Sequence, residues 1–157
     1  MHHPSRQSTI MAQPYTPKNF SPDESVGYLL RRTGSRLTQT LDRALAEHDV
    51  TTAQMGILLK LKHGMADTAA DLACELMVDT GAMTRMIDRL EEKEFIQRSR
   101  SKEDRRVILI ELTEKGDQIS ATLIQLACDA MNHHLRGFST QEITQLKDFL
   151  RRMIANT

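Results

Sequence analysis

Arg98, Arg100, Lys102, Arg105 and Arg106 fall within nine consecutive residues, opposed there only by Glu103 and Asp104. The whole chain is balanced, with 21 basic and 21 acidic residues, so the excess is local. A protruding cationic loop is what the strongly negative minor groove of a duplex attracts. Asp104 stands two residues before Arg106, where its carboxylate can pair with Arg105 or Arg106 and fix the arginine's direction. Upstream, the apolar positions Met83, Met86 or Ile87, and Leu90 define the inward stripe of a helix. That stripe leaves Thr80, Gly81, Ala82, Thr84, Arg85 and Arg89 facing outward. The guanidinium of Arg85 suits a bidentate contact to guanine O6 and N7. Thr80 and Thr84 suit phosphate oxygens, and the small Gly81 and Ala82 let the helix end approach a duplex. Together these residues point to double-stranded DNA as the partner.

Other chemistries find less support. The two cysteines, Cys74 and Cys128, form no Cys-x-x-Cys pair, which fits a reducing cytoplasm. Cys74 follows Leu72-Ala73 in a short helix and is expected to point outward, near a helix start and a basic surface, as a candidate redox thiol. Cys128 lies beside the apolar stripe of a later helix and is expected to be packed. His133 and His134 are adjacent and diverge on a helix, and His2-His3 lie near the chain start, so no metal site is expected. A glycine-rich phosphate loop, a nucleophile elbow and a Ser, His and acid grouping are all missing, so an enzyme is not expected and no cofactor is implied. The nine methionines read as flexible core filler. No apolar run approaches the roughly 18 residues needed to cross a bilayer, and the N-terminus lacks the apolar stretch of a signal peptide.

The elements that must position these residues follow from periodicity and caps. Residues 1–20, with Pro4, Pro14 and Pro17, read as a flexible arm. Ser21-Pro22-Asp23-Glu24 is a capping-box start for one long amphipathic helix to about Glu47, with Val26, Leu30, Thr33, Leu37, Leu41 and Leu45 on its apolar side. Thr51 to Gln54 opens a second helix ended by Gly64, and Thr68 opens a short third. Asp79 caps the fourth, which runs to about Lys93. The period then changes: Phe95 to Arg98 and Val107 to Leu112 read as strands around the polar loop Ser99 to Arg106. Thr113 caps a fifth helix ending near Arg136-Gly137, and Ser139 to Glu142 launches a sixth. The predicted class is mainly α with a small β-hairpin wing, in the order α-α-α-α-β-β-α-α. Residues 51–113 form a winged helix-turn-helix lobe for DNA binding, and residues 21–50 and 114–157 a helical dimerisation region.

Leu72-Ala73, Thr84-Arg85-Met86-Ile87-Asp88-Arg89-Leu90-Glu91, Ile96-x-Arg98, Asp104-Arg105-Arg106 and Leu112-Thr113-x-Lys115-Gly116 resemble the multiple-antibiotic-resistance regulator (MarR) family over residues 22–155. The resemblance implies a homodimer built from the first, fifth and sixth helices and acting as a repressor, and twofold symmetry of such a dimer implies a roughly palindromic operator. It makes Asp104 and Arg106 the wing pair, with Arg106 entering the minor groove. It further implies release of DNA by a small phenolic or anionic ligand, or by cysteine oxidation, with a cleft here drawing on Arg32, Met55, Leu58 and His63. One position departs from the pattern: Glu94 stands where the family usually has glycine at the end of the recognition helix. The rival reading keeps the winged fold as a dimer that docks a protein partner without reading DNA.

Overall fold

A computed structural model describes residues 14–156 and divides into two compact units, Met1–Ser35 and Arg36–Thr157. Helix α1 (Val26–Leu45) begins in the first and ends in the second. In the first unit, residues 14–20 are held in a turn. The Thr16 amide donates to Asn19 Oδ1 (2.6 Å) and Asn19 Nδ2 donates to the Pro14 carbonyl (3.2 Å). The Tyr15 hydroxyl accepts the backbone N–H of Val26 (2.9 Å), which satisfies one of the orphan donors at the start of α1. Residues 14–20 of the expected arm carry these bonds; residues 1–13 of it lie outside the described residues. Ser21 makes no side-chain cap. Pro22–Glu24 form a 3-10 turn, Ser25 returns to extended backbone, and its hydroxyl accepts from the Tyr28 amide (3.2 Å) while donating to the Pro22 carbonyl (2.9 Å). Ser25 thus displaces Ser21 as the cap, and the α-helix starts later than its sequence signal.

In the second unit, a 3-10 turn (Ala46–His48) closed by the left-handed Asp49 (φ 52°) leads to α2 (Thr52–Lys62). Helices α3 (Ala69–Glu75) and α4 (Thr80–Glu92) follow. Strands β1 (Ile96–Arg100) and β2 (Ile108–Leu112) come next, then α5 (Glu114–His134) and α6 (Thr140–Ala155). The winged helix-turn-helix order is the expected one. The local caps also hold: Thr51 and Gln54 form a full capping box, Thr68 accepts from Asp71 N, Asp79 from Ala82 N, Thr113 from Gly116 N, and Ser139 and Glu142 form a second box. Helix α2 is the centre of the lobe, packed on α4, α5 and β2. Leu45, Ile57, Leu58, Leu72, Met83, Ile87, Leu90, Ile96 and Leu123 are fully buried there. By contrast α6 buries none of its residues and leaves Leu146, Phe149 and Met153 exposed.

The hairpin is antiparallel, with Ile96 opposite Leu112, Arg98 opposite Ile110 and Arg100 opposite Ile108. Its root lies at the position where the chain departs from glycine. Glu94 does adopt the left-handed conformation (φ 61°), and the hairpin forms regardless. The Glu94 amide donates to the Glu91 carbonyl (2.8 Å) and the Phe95 amide to the Leu90 carbonyl (3.0 Å), the bonds that close a helix at a left-handed residue. Across from it, the Phe95 carbonyl accepts the Thr113 amide (3.1 Å), and the Thr113 hydroxyl donates to the Glu94 carbonyl (2.6 Å). A Cβ at Gly116 would sit 1.8 Å from the Phe95 carbonyl oxygen. The Thr-x-x-Gly sequence is therefore a close-approach requirement between the start of α5 and the start of the wing.

Candidate nucleic-acid interface

Helix α4 presents the predicted outward residues. Thr80, Gly81, Thr84, Arg85 and Arg89 are exposed, Ala82 is half-buried, and Met83, Ile87 and Leu90 face the core. Among the described residues neither Arg85 nor Arg89 has a carboxylate partner. A Cβ at Gly81 would lie 3.2 Å from Asp79 Oδ1, a tight approach to the helix cap, and in ordinary contact with Arg85 Nη1 at 3.6 Å. The Thr84 hydroxyl donates to the Thr80 carbonyl (2.9 Å), which leaves its oxygen able to accept but commits its proton inside the helix. Arg89 borders an open depression between α4 and the start of α2, together with Asp42, Val50, Gln54, Met86 and Lys93.

The wing tip is ordered by its own hydrogen bonds. Ser101 N donates to the Val107 carbonyl (3.0 Å) and Val107 N to the Asp104 carbonyl (2.9 Å). The Ser101 hydroxyl accepts from the Glu103 and Asp104 amides (3.2 and 3.3 Å). Asp104 does not form the expected ion pair with Arg105 or Arg106. Its Oδ1 accepts the backbone N–H of Arg106 (2.9 Å), because an aspartate side chain reaches an amide two residues on more easily than a neighbour's guanidinium. It shapes the turn and leaves the arginines exposed. Arg100, Lys102, Arg105 and Arg106 are all exposed, and none is in an ion pair among the described residues.

Arg98 behaves differently from the other four. Its Nη2 pairs with Asp88 Oδ1 (2.5 Å), its Nη1 pairs with Glu91, and its amide donates to Glu91 Oε1 (3.2 Å). The bond to Asp88 chiefly, with help from the Glu91 carboxylate, holds its pKa above the ordinary arginine range against the opposing effect of partial burial. The guanidinium counted on sequence among the DNA contacts is thus engaged by two carboxylates of α4. Asp88 and Glu91 were not among the candidate residues. The strand's own alternation carried the signal: Arg98 is in phase with Ile96, so it lies on the core-facing side of the hairpin.

Of the expected effector residues, Arg32 lies in the first unit and Met55, Leu58 and His63 in the second. Met55 is 7% and Leu58 0% exposed, both inside the core, on a helix packed against α4, α5 and β2. His63 is exposed at the end of α2. Arg32 belongs to the first unit, where Nη1 donates to the Tyr28 hydroxyl (3.3 Å) and the guanidinium lies over the Tyr28 ring. Cys74 is exposed, as expected, but in the last turn of α3 and beside a shallow depression shared with Asp67, Asp71 and Glu75. Its surroundings are acidic rather than basic. Cys128 is exposed, not packed; the buried positions of α5 are Gly116, Ser120, Leu123 and Ala130, and Cys128 falls off that line. His134 Nε2 is hydrogen-bonded to the Thr40 hydroxyl (2.9 Å), and no cluster of three metal-binding side chains occurs among the described residues.

A family model described as "MarR family" matches residues 50–108. The uncharacterized HTH-type transcriptional regulator YdcH of Bacillus subtilis is 33% identical over 111 residues, covering 68% of this chain and 76% of that protein. A solved structure of a cysteine-to-serine mutant of MarR from E. coli, complexed with operator DNA, superposes with a TM-score of 0.74 at 29% identity, covering 81% of this chain and 91% of the other. BpsR of Bordetella bronchiseptica, solved in work on regulation of its DNA binding by 6-hydroxynicotinic acid, superposes with a TM-score of 0.77 at 25% identity, covering 85% and 96%.

Proposed function

The chain belongs to the MarR family of transcription regulators, and from that premise we propose that it is a cytoplasmic repressor that binds a palindromic operator as a homodimer. One observation carries the DNA reading: a loop held rigid by its own hydrogen bonds offers four exposed, unpaired cations, and its strand is tied to the helix that exposes Arg85 and Arg89. In this reading the start of α4 enters a major groove, with Arg85 reading a base edge and Thr80, Gly81, Ala82 and Thr84 lying against the adjacent backbone. Arg89 binds phosphate, and Arg105 and Arg106, set by the Asp104 turn, reach the neighbouring minor groove.

The dimer rests on α6. A 16-residue helix that buries nothing while exposing Leu146, Phe149 and Met153 needs a partner surface. Twofold symmetry then places two recognition helices about 34 Å apart, one duplex turn. Relief by a small anionic ligand is supported by the likeness to BpsR, whose DNA binding 6-hydroxynicotinic acid regulates. The acidic setting of Cys74 favours ligand relief over oxidation.

Fluorescence anisotropy against a labelled duplex from the region upstream of the chain's own coding sequence tests the reading. Binding should weaken steeply with salt, and Arg106→Ala should lower the slope of log affinity against log salt by up to about 0.9 for one phosphate charge no longer neutralised. Arg85→Ala should cost about tenfold on that duplex and little on a scrambled one. Equal affinity of the unaltered protein for both duplexes would refute operator reading.

A further inference from the structure

We propose that Arg98 is a positioning residue that sets the angle between wing and recognition helix, and that Asp88 and Glu91 are its partners in that role. The inference rests on the DNA-binding reading above and assigns to this cation a task different from that of its neighbours in the loop.

The register makes the case. Directly opposed residues of an antiparallel pair lie on the same face, so Arg98 shares its side of the hairpin with Ile110, and by alternation with Ile96. Both isoleucines are 2% exposed. Arg98 is exposed, yet its register turns it toward the side of the hairpin that faces α4 rather than out with the loop cations. Helix α4 supplies its partners one turn apart: Asp88 takes Nη2, and Glu91 takes both Nη1 and the strand's own amide. Two carboxylates around one guanidinium leave that cluster with a net negative charge. A phosphate approaching it meets repulsion, so the cluster is a poor DNA contact and a good strut.

The hairpin has one further tie near its middle, the Ile110 amide donating to the Asp67 carbonyl (2.7 Å). That bond holds β2 to the segment before α3, and Arg98 holds β1 to α4. The second joins the middle of the wing's strand to α4, the element that enters the major groove in this reading. Since a helix and a loop must meet two grooves at once, an error in their relative angle costs affinity for a specific site without removing any contact.

The test uses the full-length protein, the upstream duplex and a scrambled duplex of equal composition. Arg98→Gln should lose about tenfold on the upstream duplex, one groove contact's worth, with the salt slope unchanged and affinity for the scrambled duplex nearly so. The double variant Asp88→Asn, Glu91→Gln removes two negative charges beside the interface, which by simple electrostatics should tighten binding. The strut predicts the opposite sign: weaker specific binding. Tighter binding by the double variant, or a slope reduced by about one in Arg98→Gln, overturns the proposal. Hydrogen exchange supplies a reading independent of DNA, since both variants should raise exchange across residues 96–112 ahead of α2. Unchanged protection there refutes the strut even if operator binding itself is never observed. Loss of discrimination in the unaltered protein sinks the DNA reading alone.

Discussion

Replacing Gly116 by alanine opposes two rules of helix energetics, and the structure says which one wins. Gly116 lies in the first turn of α5, and alanine in place of glycine in a helix ordinarily gains about 1 kcal/mol. Here the added Cβ would stand 1.8 Å from the Phe95 carbonyl oxygen and 2.8 Å from its carbon, where real Cβ atoms essentially never come within 3.0 Å. The obstacle is backbone, so no rotamer change relieves it. Phe95 or the start of α5 must retreat by more than 1 Å, and that movement breaks what holds the two together. The Thr113 amide loses the Phe95 carbonyl, the Thr113 hydroxyl loses the Glu94 carbonyl, and the cap on Gly116 N is disturbed.

Each such bond is worth about 1 kcal/mol, and a helix cap about the same. Loosened packing of Phe95, which is 8% exposed, adds to the loss. After the helix gain is subtracted, the expected net destabilisation is about 2–4 kcal/mol. For a domain of this size that lowers Tm by about 5–15 °C. Thermal unfolding followed by circular dichroism measures it, with Gly34→Ala as the internal control. Gly34 is also helical, a Cβ there meets nothing within 4 Å, and it should show the ordinary gain. If Gly116→Ala melts at or above the unaltered protein while Gly34→Ala is stabilised, the close-approach argument is wrong. Because Phe95 leads into β1, Gly116→Ala should also weaken operator binding below the melting range.

Glu94→Gly should raise stability by about 0.5 kcal/mol, since relief of the left-handed strain outweighs glycine's greater freedom when unfolded; a denaturant titration that shows a loss would contradict this. The exposed Lys115 ion pair to Glu94 (3.4 Å) adds little to the balance. Glu142 accepts the Ser139 amide and hydroxyl, and these bonds hold its carboxyl below the usual range. Its contribution is therefore present above that range and lost as pH falls through the depressed value. Urea unfolding between pH about 6 and about 3 should show a shallower acid loss in Glu142→Gln than in the unaltered protein. Phe149→Glu on the exposed face of α6 should shift sedimentation toward the monomer while the circular dichroism spectrum stays helical, and an unchanged mass would remove α6 from the interface.

What the sequence disclosed most reliably was chemistry confined to one turn of chain. Thr51, Thr68, Asp79, Thr113 and Ser139 all cap as read, because a cap needs only a short polar side chain and an amide three residues on. Ser21 failed for an equally local reason: a second serine four residues later accepts from the helix amide instead. The arrangement of Gly116 against Phe95 was legible only as a pattern, since the two are separated by a hairpin whose closure no local rule fixes. Leu58 and Met55 show the same boundary. Periodicity put them on a helix but did not show that the helix is packed against α4, α5 and β2 with both side chains buried.

Counting charges along a loop estimates its field only if each charge is free to act. Of the five cations between residues 98 and 106, Arg98 is consumed by Asp88 and Glu91, which would seem to weaken the case for a cationic surface. The exchange works the other way. Those two carboxylates sit on α4 near Arg85 and Arg89, and without a partner they would oppose any phosphate approaching that helix. By engaging both, Arg98 partly neutralises α4 while the loop keeps four exposed cations against Glu103 and Asp104. One oxygen of Asp104 is already committed to the Arg106 amide. Without Arg98 the local excess falls from three to two, and its pairing offsets carboxylate charge that would otherwise oppose the cations that remain.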